Sequence, residues 1–182
     1  MKESVFPDID GAFTWYIATK DGLRGLRAAI QCGAVLSEDI GDELYGMTLS
    51  EWQDYLRRQT VKHGVFATLA LFAACEGGIR RDFEWRAMGE FGQTHAQRFR
   101  KLQVQAGDNA VPLNNILTGW IGAEGDKAWL RQRLLQLLTL FRQRNDLAHG
   151  RIAEDVAVER VYDLLCRIRE KWCAAVPDFR GF

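Results

Sequence analysis

The segment DKAWLRQRLLQLLTLFRQRNDLAHG, residues 126–150, decides the fold class. Its apolar side chains recur every three or four residues, which is the spacing of an amphipathic helix. Asp126 before this repeat predicts the helix N-cap, and Gly150 after it predicts the helix end. The predicted apolar stripe of the helix consists of Leu130, Leu134, Leu137, Phe141 and Ala148.

Helical patterns also flank this segment on both sides. A capping box at 50–53 predicts the start of a long helix, and two glycines at 77–78 mark a point where it kinks or ends. No segment shows the alternation of a half-buried strand. We therefore expect an all-α protein, an antiparallel helical bundle of four to five main helices. The predicted helices cover about 14–36, 50–77, 114–121, 126–150 and 155–172.

Length and composition are those of a globular protein. The chain has 182 residues, which fits a single domain over 1–182. Hydrophobic residues make up 47% and charged residues 26%, which excludes a disordered chain. The 24 basic and 24 acidic residues balance, so no net field draws the protein to nucleic acid or to a membrane.

The sequence also argues against export and against metal binding. The longest apolar run, 65–75, is about half of the ~20 residues that span a bilayer, and 1–10 lacks the pattern of a signal peptide. The four cysteines and three histidines are scattered and lack zinc-ligand spacing. We expect a cytoplasmic protein with reduced thiols and without a membrane segment, metal or cofactor.

A polar cluster occupies the last two turns of the helix predicted over 126–150. Arg144 borders the apolar stripe, whereas Asn145 and His149 lie one turn apart on the opposite edge. One explanation is structural: Arg144 pairs with a carboxylate, and His149 complements the dipole at the helix end. The other explanation is a phosphate site, because arginine binds phosphate in a bidentate manner and histidine transfers protons near neutral pH.

The pattern Arg144-Asn145-x3-His149 resembles the R-x4-6-H signature of the HEPN superfamily, especially its R-N-x-x-x-H form. In that family the motif lies near the end of a bundle helix, where the apolar spacing also puts it here. The resemblance implies an all-α homodimer that acts as a metal-independent endoribonuclease in toxin–antitoxin or phage-defence systems. Some members have lost activity, so a non-catalytic module that binds a nucleotide or a protein partner is the alternative. A purely structural helical adaptor is the third possibility.

The resemblance further implies a role for each motif residue. Two copies of the motif would face one another across the dimer and form a composite cleft for RNA. His149 would act as general base toward a ribose 2′-hydroxyl or as acid toward the leaving oxygen. Arg144 would stabilise the charge that develops on the phosphate, and Asn145 would orient the phosphate or hold His149.

Glu76 is the candidate supporting residue. It directly follows the apolar run 65–75, so its carboxylate needs a partner. Arg80 lies at the i,i+4 spacing of a helical ion pair. The alternative partner is Arg144 across the bundle, and some HEPN families similarly carry an acidic residue on the helix before the motif.

Basic residues outside the motif are candidate RNA contacts. The run 98–101 combines positive charges with an aromatic ring that can stack on a base, although such runs are also typical of a solvated helix face. The predicted RNA-binding residues are Arg98, Phe99, Arg100, Lys101 and Arg151.

Arg151 also marks a departure from one subgroup of the family. HEPN toxins paired with nucleotidyltransferase antitoxins often carry tyrosine two residues after the motif histidine, where this chain has Arg151. An antitoxin that modifies this tyrosine is therefore not expected, and another antitoxin or a regulatory protein remains open.

Overall fold

The computed structural model describes residues 7–89, 92–124, 126–151 and 157–182. Within these ranges every regular element is a helix, which confirms the predicted all-α bundle. None of these helices combines the length and apolar composition needed to cross a membrane. The four longest, α1, α3, α6 and α7, have 18 to 40 residues each. The helices are α1 (Ile9–Gln31), α2 (Glu38–Leu44), α3 (Leu49–Met88), α4 (Ala96–Ala106), α5 (Leu113–Ala123), α6 (Ala128–Ala148) and α7 (Val158–Ala175).

Helix α7 runs antiparallel to both α1 and α6. Near the start of α1, Asp10 accepts hydrogen bonds from Arg169 in the C-terminal half of α7, at 2.7 and 3.0 Å. Further along α1, Tyr16 donates to Glu159 at the start of α7, at 3.1 Å. Lys127, just before α6, donates to the last carbonyl of α7 at 2.9 Å. The start of α6 therefore lies beside the end of α7.

Helix α3 is the axis of the bundle. Its 40 residues span about 60 Å at 1.5 Å per residue. A capping box fixes its start: the Thr48 hydroxyl accepts from the Glu51 N–H, and the Glu51 carboxylate accepts from the Thr48 N–H. The prediction of the box at 50–53 is wrong by two residues, because residue 50 already lies within the helix. The helix also continues through the glycines at 77–78 and ends at Met88.

Other helix boundaries agree with the predictions only in part. Helices α5 and α6 lie where the apolar pattern predicts them, whereas α2 and α4 are not predicted. Asp126 does not cap α6, because the N-cap is Lys127 and its side chain makes no capping bond. The predicted start of the last helix at 155 lies outside the described residues; its described part begins at Val158.

The apolar stripe of α6 faces the core, except at its end. Ala148 is exposed, contrary to the prediction, and Leu147 is buried in the last turn instead. The members of the stripe that are buried are Leu130, Leu134, Leu137 and Phe141.

A group of aromatic rings closes the core where α5, α7 and the C-terminal segment meet. Trp172 stacks on Phe179 with ring centroids 4.1 Å apart, and it meets Trp120 edge-on at 5.4 Å. All three rings belong to a hydrophobic cluster to which every helix except α2 contributes. This end of the bundle is therefore held by contacts between residues distant in sequence.

Arg86 on α3 is a fully buried charge beside these rings. Its Nε and Nη2 donate to the two carboxylate oxygens of Asp82, at 2.8 and 3.1 Å. Its Nη1 donates to the Thr94 carbonyl at 2.7 Å and to the Asp178 carboxylate at 3.1 Å, and Nη2 also donates to the Asp178 carbonyl at 3.0 Å. All five guanidinium N–H groups thus have acceptors. The Trp120 ring lies 4.8 Å from the guanidinium carbon.

We expect Arg86→Lys to lower the free energy of unfolding by about 3 kcal/mol, because an ammonium group has three N–H donors for the five hydrogen bonds that the buried guanidinium makes to Asp82, Thr94 and Asp178. Urea denaturation followed by circular dichroism measures this change. The control is Arg57→Lys, in an exposed ion pair with Asp54 on the same helix, for which we expect less than about 0.5 kcal/mol. Equally small effects of both variants would contradict a structural role for Arg86.

The C-terminal segment crosses α3 at Gly78. A methyl group there would lie 2.1 Å from the backbone nitrogen of Phe182, whereas at Gly77 the nearest atom is the end of the Arg81 side chain at 3.2 Å. We expect Gly77→Ala to raise the free energy of unfolding by about 0.5–1 kcal/mol, because glycine is unfavourable within a helix. We expect Gly78→Ala to lower it, because the crossing segment must move. Urea denaturation measures the free energy of unfolding of both variants. Stabilisation by both substitutions would contradict the close crossing at Gly78.

Candidate functional site

A cleft of about 210 Å³ lies between the C-terminal half of α6, the start of α5 and Glu76 of α3. We refer to it as the Glu76 cleft. Two of the three predicted motif residues and the predicted supporting residue meet there. The residues that line it are Glu76, Leu113, Asn114, Leu117, Leu138, Phe141, Arg142, Arg144 and Asn145.

The Glu76 carboxylate lies between two guanidinium groups. Arg144 Nη2 donates to Glu76 Oε2 at 2.5 Å, and Arg80 Nε and Nη2 donate to Oε1 at 2.9 and 2.8 Å. Both alternatives from the sequence are thus realised together, one arginine on each oxygen. Arg80 also donates to the Val111 carbonyl at 2.9 Å, so the same network holds the segment that leads into α5.

Arg144 keeps part of its guanidinium accessible. Its side chain is 27% exposed, and that of Glu76 is 21% exposed. Glu76 and the Asn145 amide oxygen, which lies 3.1 Å from Nη1, accept from two of its five N–H groups. Arginine has no acceptor, so the oxygen of the Asn145 amide must face Arg144, and its NH₂ group points away. The Arg144–Asn145 pair can therefore present N–H donors to an anion.

Helix α6 ends directly after these residues in a Schellman motif. The Gly150 N–H donates to the Leu147 carbonyl at 3.0 Å, and the Arg151 N–H donates to the Asp146 carbonyl at 2.9 Å. Gly150 has a φ of +67°, which glycine adopts without strain. The predicted end of the helix at Gly150 is therefore confirmed, and His149 is the C-cap residue.

His149 lies on the surface next to the Glu76 cleft and does not line it. It is exposed one helical turn beyond Asn145, and its imidazole makes no hydrogen bond or ion pair with the described residues. Arg142, Asn145 and His149 form one exposed row, because they are three and four residues apart on α6. The fold thus brings Arg144, Asn145 and Glu76 together and leaves His149 beside them.

The predicted RNA contacts differ in their accessibility. Arg98 and Lys101 are exposed on α4. Phe99 is fully buried, so the expectation that its ring stacks on a base is wrong; α4 is amphipathic and turns this residue toward the core. Arg100 donates to two carbonyls at the end of α3. Arg151 is exposed and pairs with a carboxylate in the last turn of α6 at 3.2 Å.

Two surface grooves run along α4. A groove of about 910 Å³ lies at the α3–α4 junction, and one of about 550 Å³ lies between α4 and α5. Both are lined by Gln97, Lys101 and Gln105, which are four residues apart on the exposed face of the helix. On α5, Asn115 lines the smaller groove, whereas the preceding Asn114 lines the Glu76 cleft. The first turn of α5 therefore separates the basic surface of α4 from the cleft.

His95 makes a contact with Glu124 that the sequence does not predict. Its Nε2 lies 2.5 Å from Glu124 Oε1, and Lys127 Nζ lies 2.6 Å from the other oxygen. Burial opposes ionisation, but hydrogen bonds from Lys127 and His95 lower the pKa of Glu124 below its ordinary value. His95 has a φ of +62°, which is uncommon for a residue other than glycine. A left-handed histidine at a helix start has no sequence signature, so pattern analysis misses it.

The structure adds no cysteine nucleophile to the site. Cys75 is fully buried next to Glu76, and burial together with the Glu76 carboxylate raises the pKa of its thiol well above the ordinary value. Such a thiol stays protonated and unreactive. Among the described residues, no three His, Cys, Asp or Glu side chains lie close enough together to hold a metal ion.

Comparison with known proteins identifies no relative of this chain. No protein-family model matches the sequence, and no curated protein or solved structure is significantly similar to it. The function is therefore argued from the residues and their geometry.

We expect Glu76→Gln to raise the affinity of the cleft for inorganic phosphate about fivefold at low ionic strength. Arg80 and Arg144 would lose the carboxylate that competes with an incoming anion. Isothermal titration calorimetry measures this affinity. The control is Glu84→Gln, which removes the same charge at an exposed position two turns further along α3. Equal phosphate affinities for the two variants would show that Glu76 does not compete at the site.

Proposed function

We propose that this protein is a metal-independent endoribonuclease of the HEPN type, active as a cytoplasmic homodimer in toxin–antitoxin or phage-defence systems. The observation that carries the proposal is the placement of Arg144 and Asn145 at a cleft near the end of a bundle helix, with His149 exposed one turn further. An antitoxin or regulatory protein that silences the site is part of this proposal.

Arg144 is the proposed phosphate-binding residue. Glu76 and Asn145 hold its guanidinium from two directions, so its orientation is set before a ligand arrives. Its other N–H groups are donors for phosphate oxygens, and they would stabilise the charge that develops when the phosphorus is attacked. Asn145 adds an uncharged donor through its NH₂ group.

His149 is the proposed acid–base residue. The ribose 2′-oxygen would attack the adjacent phosphorus while its proton passes to a base, and the bond to the 5′-oxygen would break as that oxygen takes up a proton. The products would be a 2′,3′-cyclic phosphate and a free 5′-hydroxyl. An imidazole transfers protons near neutral pH and is suited to either transfer. DNA lacks the attacking hydroxyl and would not be cleaved.

A second copy of the chain is part of the proposed site. His149 does not line the cleft, so we infer that the imidazole over the phosphate held by Arg144 comes from a second chain. The face of α6 with Arg142, Asn145 and His149 also carries Leu135, a leucine that is 46% exposed. In a dimer of the HEPN type, this face would contact the same face of a second α6 helix and would cover Leu135. Such a contact would bring the partner's imidazole to each cleft.

The exposed charges of α4 extend the proposed RNA surface. Arg98 and Lys101 line the groove on the far side of the first turn of α5. A chain that leaves the Glu76 cleft across the first turn of α5 would reach these charges. Electrostatic contacts of this kind would position the RNA backbone without selecting a sequence.

A non-catalytic module that binds a nucleotide or a protein partner is the second candidate function. The observation that favours it is the complete pairing of Glu76 with Arg80 and Arg144, because a satisfied ion-pair network also serves structure alone. In such a module Arg144 would bind a phosphate group, and His149 would play no chemical role.

We expect purified protein to cleave RNA in the presence of EDTA and to leave a cyclic phosphate end. His149→Ala and Arg144→Ala should each lower the rate about 100-fold or more, because acid–base and charge-stabilising groups contribute that much. Gel analysis of a mixed RNA panel measures the rates, with Arg57→Ala, an exposed position at the start of α3, as the control. Wild-type rates in either motif variant would disprove the proposal, and absence of cleavage in all samples would favour the binding module.

Mixing the two inactive variants tests the composite site. A heterodimer of His149→Ala and Arg144→Ala chains holds one intact Arg144–His149 pair across the interface. We expect about a quarter of the wild-type rate, because half of the dimers are mixed and each has one functional site of two. A mixture that stays inactive would show that the two residues act within one chain or that all four copies are required.

A further inference from the structure

The Glu76 cleft has an apolar side that the proposed phosphate chemistry does not use. Leu117 and Phe141 are buried beneath it, and Leu113 and Leu138 lie half-buried beside them. The Phe141 ring centre is 5.9 Å from the guanidinium carbon of Arg144, so the apolar side begins directly next to the proposed phosphate position. A ligand that binds Arg144 through a phosphate can therefore place an apolar group against this side of the cleft.

The rim above the apolar side carries two side-chain amides. The Asn145 NH₂ group points away from Arg144, because its oxygen accepts from that guanidinium. The Asn114 side chain is exposed at the start of α5, and its amide makes no hydrogen bond with the described residues. The cleft thus offers unpaired amide donors and one unpaired amide acceptor over apolar walls.

We propose that the Glu76 cleft binds one nucleobase of the RNA next to the scissile phosphate and that Asn114 is the residue that selects the base. This inference rests on the proposed ribonuclease function. A nucleobase has apolar faces and a polar edge, which match the leucine and phenylalanine walls and the amide rim. Asparagine amides pair with the donors and acceptors on base edges, which gives them discrimination between bases.

Size and charge narrow the choice of ligand. The volume of about 210 Å³ is below the about 300–1,000 Å³ of sites for drug-sized molecules, so the cleft fits one planar ring system. The four apolar side chains offer no donor to a second phosphate, and the positive charges that line the cleft are Arg142 and Arg144. A nucleotide fits both parts of the cleft when its phosphate contacts the arginines and its base contacts the apolar side.

Nucleotide binding by the whole chain tests the base site without any need for cleavage. The probes are the four nucleoside 5′-monophosphates and ribose 5-phosphate, which has the phosphate but lacks the base. We expect at least one nucleotide to bind about tenfold more tightly than ribose 5-phosphate in a nuclear magnetic resonance titration. Asn114→Ala and the isosteric Asn114→Asp should remove most of this difference. Asn115→Ala, the exposed neighbour that lines the groove on the other side of α5, should retain it.

Cleavage of substrates that contain each of the sixteen dinucleotide steps provides the second readout. We expect a preference for one base in the wild type and in Asn115→Ala, and its loss in Asn114→Ala. Equal binding of nucleotides and ribose 5-phosphate, or a preference that Asn114→Ala leaves unchanged, would overturn the base site while the ribonuclease stands. Asn114-dependent nucleotide binding without any RNA cleavage would support the base site and remove the catalytic proposal.

Discussion

A guanidinium group withdrawn from water needs an acceptor for each of its five N–H groups, and Arg86 meets this requirement within the core. The acceptors come from α3 itself, from the segment before α4 and from the C-terminal segment. Removal of any of these partners would leave a buried charge or carbonyl unsatisfied, so the three segments are bound to one another. Trp120, in the second half of α5, packs on the same guanidinium, which adds this helix to the assembly.

At the Glu76 cleft, two partly exposed guanidinium groups also need acceptors. One carboxylate serves Arg80 and Arg144, and Arg80 reaches on to the Val111 carbonyl. Three helices are thereby registered around a single anionic group: α3 that carries it, α6 that supplies Arg144, and α5 whose approach is held by Arg80. Glu76, Arg80 and Arg144 all stay partly exposed where these helices meet, which avoids the cost of burying charged groups completely.

Much of this arrangement can be predicted from the sequence, and physical reasons explain why the other features cannot. Helix periodicity predicts α6, and Gly150 predicts its end. The need of the Glu76 carboxylate for a partner indicates Arg80 and Arg144 as candidates. The inward orientation of Phe99 is not predicted, because α4 lacks a clear start signal and the charges next to Phe99 dominate its sequence pattern. The left-handed conformation of His95 has no sequence signal, because tertiary contacts hold a histidine in this region of backbone conformation.

In a nuclease, the ion pair between Glu76 and Arg144 would make Arg144 stabilise the transition state more than the bound substrate. A phosphodiester that binds the other N–H groups of Arg144 meets a guanidinium whose charge Glu76 already balances, so the ground-state complex is stabilised little. The pentacoordinate phosphorane carries more negative charge and attracts the same guanidinium more strongly. At this site, such an enzyme would bind substrate and product weakly and would stabilise mainly the transition state. Product release would then not limit its turnover.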